Sequence, residues 1–162
     1  AHIDGILWGY KKNFNFVITM DTDLAHHPKY IINFFMKKNF HVCIGSRYLK
    51  KFSTPGWDKF RVFLSYSAHY VSSILYKIKF DTTNGFRCYD INKININFFS
   101  KLKNNKDYDF FQTSAVLMSY KKFIIKEFPM KIHGRITGNS KMMLQHVLKS
   151  IVNMINIYFT IK

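Results

Sequence analysis

Apolar residues recur along this chain in two rhythms. Ile3, Ile6, Leu7 and Tyr10 share one side of a 3.6-residue period, so residues 1–12 are predicted to form an amphipathic helix. From Phe14 to Met20 the chain is mostly apolar and rich in β-branched and aromatic residues, as a buried sheet strand would be. Pro28 suits the first turn of a helix whose inner face is Tyr30, Ile31, Phe34 and Phe35. His41 to Gly45 reads as a second buried strand, and residues 49–57, with Lys, Ser, Thr, Pro and Gly, as a mobile loop. A long helix follows from Asp58 to Lys77, carrying Phe60, Phe63, Leu64, Val71, Ile74 and Leu75. The turn Thr83-Asn84-Gly85 leads into a short strand ending at Tyr89. Residues 107–122 read as a helix, 123–132 as a strand, 133–139 as a glycine-containing loop and 142–161 as a strongly apolar helix. There is no internal repeat, and the βα alternation predicts an α/β layer architecture in a single domain.

Composition narrows the partners. The 162 residues suffice for one domain, and nearly half are apolar, which argues against disorder. A formal charge of +16 points to a polyanion: nucleic acid, an anionic membrane or a phosphorylated substrate. Part of the lysine richness matches the bias of an AT-rich genome. The lysines are interleaved with Phe and Tyr, and no helix-turn-helix, zinc-finger or RNP-like pattern is present, so nucleic acid is disfavoured. Cys43 and Cys88 have apolar or aromatic neighbours and read as buried, reduced thiols. There is no signal-peptide pattern and no apolar run of about 18 residues that would span a bilayer. The chain opens at Ala1 within a helical pattern, as part of a longer protein would.

The candidate chemistry begins where the first strand ends. Asp21-Thr22-Asp23 places two carboxylates around one small residue, where open α/β sheets bind their ligands. If the chain turns there, both acids converge on a cation, and hard oxygen donors favour Mg²⁺ or Mn²⁺ with substrate phosphate completing the shell. Solvated loop acids or a helix cap are the alternatives. Arg47, just after the second strand, is either a phosphate ligand or a surface cation. His26 and His27 read as local packing and a helix lead-in rather than metal ligands.

The order of motifs carries more information than any one of them. Asp21-Thr22-Asp23-Leu24-Ala25-His26-His27-Pro28, Ile44-Gly45-Ser46-Arg47-Tyr48, Thr83-Asn84-Gly85-Phe86-Arg87-Cys88-Tyr89, Phe111-Gln112 and Gly134-Arg135-Ile136-Thr137-Gly138-Asn139-Ser140-Lys141 follow one another. Together they resemble the dolichol-phosphate mannosyltransferase (polyprenol-phosphate mannose synthase) group of family 2 glycosyltransferases, over essentially the whole chain. The resemblance implies a GT-A, Rossmann-like fold, a mixed sheet flanked by helices. It also implies that Asp21 and Asp23 hold the metal and that Thr22 turns its backbone to the nucleotide. Arg47 would contact substrate phosphate, and Arg135 and Lys141 would close over donor and acceptor phosphates from the late loop. Asp23, Arg47 and Arg135 are the implied catalytic set. Arg61 and Ser65 would line the acceptor-phosphate side, and Asp81, Arg87 and Gln112 match further family positions, Arg87 and Gln112 as substrate-binding candidates; a structural ion pair is the equal alternative for Arg87. The family's leading strand, with a Pro-x-Tyr-Asn-Glu-like motif, and its base-gripping acid have no counterpart here, so the expectation is an N-terminally truncated domain. Ala25 and Ser114 replace a polar residue and a glutamate found in relatives, which leaves the sugar open.

The resemblance further implies an inverting transfer of mannose from GDP-mannose to dolichyl or polyprenyl phosphate at the cytoplasmic face of a membrane. That membrane would be the endoplasmic reticulum in a eukaryote and the inner membrane in a bacterium. A small membrane-anchoring subunit is a candidate partner. The helix at 58–77, flanked by Lys59, Arg61, Lys77 and Lys79, suits an interfacial orientation, and residues 142–162 either lie on the bilayer or cover the sheet. The competing readings are a family 2 enzyme with another sugar or lipid acceptor, and a non-catalytic remnant or subunit that binds polyprenyl phosphate.

Overall fold

The computed structural model describes residues 1–23, 25–51, 53–102, 110–134 and 152–159. In chain order the elements are α1 (His2–Lys11), β1 (Phe16–Thr19), a 3₁₀ turn (Pro28–Tyr30), α2 (Ile31–Phe35), β2 (Val42–Ser46) and α3 (Lys59–Tyr76). Then come β3 (Arg87–Asp90), α4 (Ile96–Leu102), α5 (Phe110–Tyr120), β4 (Ile125–Pro129) and a last helix, α6, at 152–159. The strands form one mixed sheet in the order β1-β3-β2-β4. β3 runs antiparallel to both β1 and β2, whereas β2 and β4 are parallel. This is an α/β fold with helices on both faces, compatible with a Rossmann-like architecture.

Strand alternation divides the core between the two faces. Val42, Ile44 and Tyr89 point to one side, where Ile3 and Ile6 of α1, Phe99 and Leu102 of α4 and Met118 of α5 meet them. Cys43 and Cys88 point to the other, among Phe34, Phe86, Phe128 and Met130. These two cysteines face each other across β2 and β3 as free, buried thiols, and burial pushes each up to about 12.

Several expectations need correction. The first strand is shorter than 14–20 and is not fully buried: it lies at the edge of the sheet among the described residues, and Phe14 and Phe16 are exposed. Among the described residues β3 is the one strand that pairs with β1. In α2 only Phe34 is buried. Phe35 is half-exposed because the helix lasts five residues and cannot turn both rings inward. The hydrophobic pattern does not announce α4; its Asn-rich start hides an Asx turn in which the Asn97 N–H donates to Asn95 Oδ1 at 2.9 Å. Of the apolar segment at 142–161, only α6 lies within the described residues, and among them no helix is long and apolar enough to cross a membrane.

The α2 contrast is measurable. Phe34 has no exposed surface and packs on Phe86 at 4.8 Å and edge-on against Phe128 at 5.0 Å between ring centroids. Phe34→Ala is expected to cost about 3–5 kcal/mol in denaturant unfolding. Phe35→Ala, one residue on, should cost about 1 kcal/mol or less.

Candidate functional site

Three segments meet at one end of the sheet. Residues 21–27 leave β1, Arg47 and Tyr48 leave β2, and Asp81 to Phe86 lead into β3, whose antiparallel direction brings its start to the same end. Four of the chain's nine acidic residues, Asp21, Asp23, Asp81 and Glu127, belong to this junction, which makes it a local acidic site in a strongly basic protein.

Asp81 organises it. Its carboxylate is fully buried; Oδ1 accepts from Arg47 Nη2 at 2.8 Å, Thr83 N at 3.1 Å and Asn84 N at 3.0 Å, and Oδ2 accepts from Arg47 Nε at 2.9 Å. Arg47 therefore grips Asp81 with both arms of its fork, and Nη2 also donates to Thr83 Oγ1. Burial alone would raise the Asp81 carboxyl. Arg47 and the backbone donors overcome it and hold the group down at about 2. Burial likewise opposes the Arg47 charge, yet Asp81, Tyr48 and Asp21 raise its pKa above the ordinary guanidinium value. The Asp81 N–H donates in turn to Glu127 Oε1 at 2.9 Å, which ties β4 to the same point.

A second network fixes the end of β1. His26 is buried; its Nδ1 accepts the Asp21 N–H at 2.9 Å, so Nε2 carries the proton and donates to Asn84 Oδ1 at 3.0 Å. Asn84 Oδ1 also accepts the Phe86 N–H at 3.3 Å, and Asn84 Nδ2 donates to the Gly45 carbonyl. Burial lowers the His26 pKa, with Asp21 pulling the other way. Thr19 Oγ1 closes the seam by donating to Gly85 O at 2.7 Å. Gly85 must stay small: a Cβ there would stand 2.9 Å from the Phe111 ring and 3.6 Å from Asp21 Oδ1.

The chain does turn at the acid pair. Asp23 Oδ1 accepts the Ala25 N–H at 3.1 Å, an Asx turn just after β1. The Asp21 side chain is 50% exposed, and Thr22 is exposed. Among the described residues, no group of three or more His, Cys, Asp and Glu side chains could hold a metal ion. Asp21 and Asp23 carry hard oxygen donors of the kind Mg²⁺ or Mn²⁺ takes, two of the roughly six or more that such an ion needs.

The implied acceptor-side residues stand across from Arg47. The Tyr48 hydroxyl meets Ser65 Oγ at 2.9 Å and donates to Ser65 O at 3.1 Å, and its ring stacks on His69 at 3.8 Å. The Arg61 guanidinium lies 3.8 Å over the Trp57 ring, while the Arg61 backbone N–H donates to Asp58 Oδ1, the cap of α3, at 2.8 Å. Arg87 has no exposed surface. It donates to the carbonyls of Asn84, Phe111 and Thr82 and to Ser114 Oγ, so it braces the 82–84 loop against the start of α5. Gln112 is buried on α5, and its Nε2 lacks a hydrogen-bond partner among the described residues. Arg135 and Lys141 lie outside the described residues.

Thus Asp21, Asp23, Arg47 and Ser65 are drawn to one end of the sheet, while Arg87 faces the interior. Sequence reasoning missed His26, Asn84 and Tyr48. The one signal for Asn84 was its place in a Thr-Asn-Gly turn; His26 lies outside any periodic pattern. No family model matches the chain.

The network carries a pH dependence. Buried His26 binds its proton less readily than the unfolded chain does, so the unfolded state takes up protons first and stability falls as pH drops below about 6.5. His26→Gln should flatten that slope in thermal melts between pH 7.5 and 5. A second loss, from Asp81, begins below the ordinary carboxyl value of 3.8 and is complete near about 2.

Proposed function

We propose that this chain forms the metal and acceptor side of a GT-A glycosyltransferase that moves a sugar, with mannose from GDP-mannose as the leading donor, onto dolichyl or polyprenyl phosphate. The observation that carries this reading is the orientation of α3. Phe60, Phe63, Tyr66, Tyr70, Val71 and Ile74 are exposed, whereas Arg61, Ser65, His69, Ser72 and Tyr76 lie on the inward, less exposed side. The inner side is mixed: Leu75 and Tyr76 join the cluster of Val116 and Met154 at its C-terminal end, while Arg61, Ser65 and His69 make its N-terminal part polar. An apolar outer face suits lipid, and the polar part of the inner face suits a phosphate.

The occupant of the outer face is an anionic bilayer surface. Lys59, Lys77 and Lys79 flank the apolar stripe, and each basic residue near such a surface contributes about 1 kcal/mol. The lipid phosphate then lies beside Arg47, Ser65 and Tyr48, with its tail leaving along α3.

A phosphate monoester has a second pKa of about 6, so at neutral pH the acceptor is mostly a dianion and needs little general-base help. Its oxygen attacks the anomeric carbon as the bond from that carbon to the diphosphate breaks, which inverts the configuration. Asp21 and Asp23 would hold the Mg²⁺ or Mn²⁺ ion, which when bound supplies Lewis-acid neutralisation of the departing diphosphate. Asp81 keeps Arg47 charged and aimed, His26 fixes the backbone of Asp21, and the Asn84 bridge holds the two strand ends together.

Incubation with labelled GDP-mannose, polyprenyl phosphate and Mn²⁺ tests the reaction. The intact chain should place label in the lipid fraction, and Asp23→Asn, which keeps the turn acceptor but removes the charge, should reduce it at least about 100-fold. Equal label with both proteins would remove the metal role. No label, together with specific binding of the phospholipid acceptor, would favour the non-catalytic reading. Membrane docking has its own check: Phe63→Ser with Ile74→Ser should abolish flotation with anionic vesicles while leaving the thermal midpoint unchanged.

A further inference from the structure

The inner stripe of α3 extends beyond the two residues implied for the acceptor side. Arg61, Ser65 and His69 follow at intervals of four, so they line one face of the helix with a rise of about 6 Å per step. His69 is partly buried, and its ring lies flat on Tyr48, interplanar angle 10° and centroids 3.8 Å apart. Arg47 lies against the same Tyr48 ring at 5.1 Å, and the Tyr48 hydroxyl is bound to Ser65. A single tyrosine thus braces a guanidinium, a hydroxyl and an imidazole.

We propose that His69 is a further ligand of the phosphate that this site receives, and that it takes up a proton when the phosphate dianion binds. This rests on the function proposed above. The groups facing His69 are Arg47 and Tyr48 from the segment after β2 and Asp81 from the loop before β3; Ser65 precedes it by one turn of its own helix. Burial favours the neutral ring, Asp81 pulls toward the charged form and Arg47 opposes it. Asp81 is already engaged by Arg47, so these two charges act on the ring in opposite senses. A dianion placed beside the ring tips that balance toward imidazolium, and the added N–H becomes a charge-assisted donor to a phosphate oxygen. The proton comes from solvent on binding and returns to it on release.

The test is calorimetric titration of the full chain with farnesyl phosphate at pH 7 in two buffers of different ionisation enthalpy, which counts protons taken up. Farnesol serves as the phosphate-free control. The intact chain should bind farnesyl phosphate with net proton uptake and bind farnesol weakly. His69→Gln and His69→Phe should each abolish the uptake and weaken binding about tenfold. The phenyl ring retains the stack on Tyr48, so thermal melts of that variant separate loss of a ligand from loss of packing. Undiminished uptake in both variants would overturn the His69 role while leaving the site intact. Equal affinity of the intact chain for farnesyl phosphate and farnesol would overturn the lipid-phosphate reading itself, and the inference with it.

Discussion

Asp81 and Arg47 form the constraint on which the rest of the site depends. Asp81 is wholly buried, and a carboxylate in that position is tolerable only when its oxygens are filled by donors of opposite charge or by backbone N–H groups. Arg47 supplies two donors from the end of β2, and Thr83 and Asn84 supply two more from the loop that Asp81 itself begins. The pair therefore cannot relax without exposing a charge to the interior. This is how a loop with little apolar content is held at the end of the sheet.

From that point the constraint spreads outward. The loop shape set by Asp81 places Asn84 where it reaches both Gly45 on β2 and His26 in the segment after β1. His26 then holds the backbone of Asp21, and Thr19 holds Gly85. Arg87 anchors the far side of the same loop to α5 through three carbonyls. Asp21 is thus positioned by buried residues behind it, while its own side chain stays half-exposed. On the other flank Tyr48 carries the order from Arg47 to α3, whose polar face closes the site and whose apolar face is left to the surroundings.

Much of this was legible in the amino-acid order, for identifiable reasons. The α/β alternation follows from periodicity. The bounds of α3, read as Asp58 to Lys77, match the structure, in which Asp58 caps the helix and Lys77 adopts the left-handed conformation just past its last turn. The turn at Asp23 follows from Asp chemistry. What remained hidden depends on contacts between distant residues. Arg47 finds Asp81 34 positions away and His26 finds Asn84 58 positions away, and no local pattern announces either. Arg87 illustrates the limit: the amino-acid order leaves a structural role and a ligand role equally open, and only the fold shows its donors engaged by main-chain carbonyls and Ser114 Oγ in the interior. Helix α4 escaped notice because seven residues give too few turns for a periodicity to emerge.

The most direct measurement is a double-mutant cycle on the buried pair, with Arg47→Met, Asp81→Asn and the double variant compared by denaturant unfolding. The account predicts a coupling of about 2 kcal/mol or more, the double variant losing less stability than the two single losses added together. A coupling below about 0.5 kcal/mol would show that the two side chains act independently. The junction would then owe its shape to something other than this ion pair.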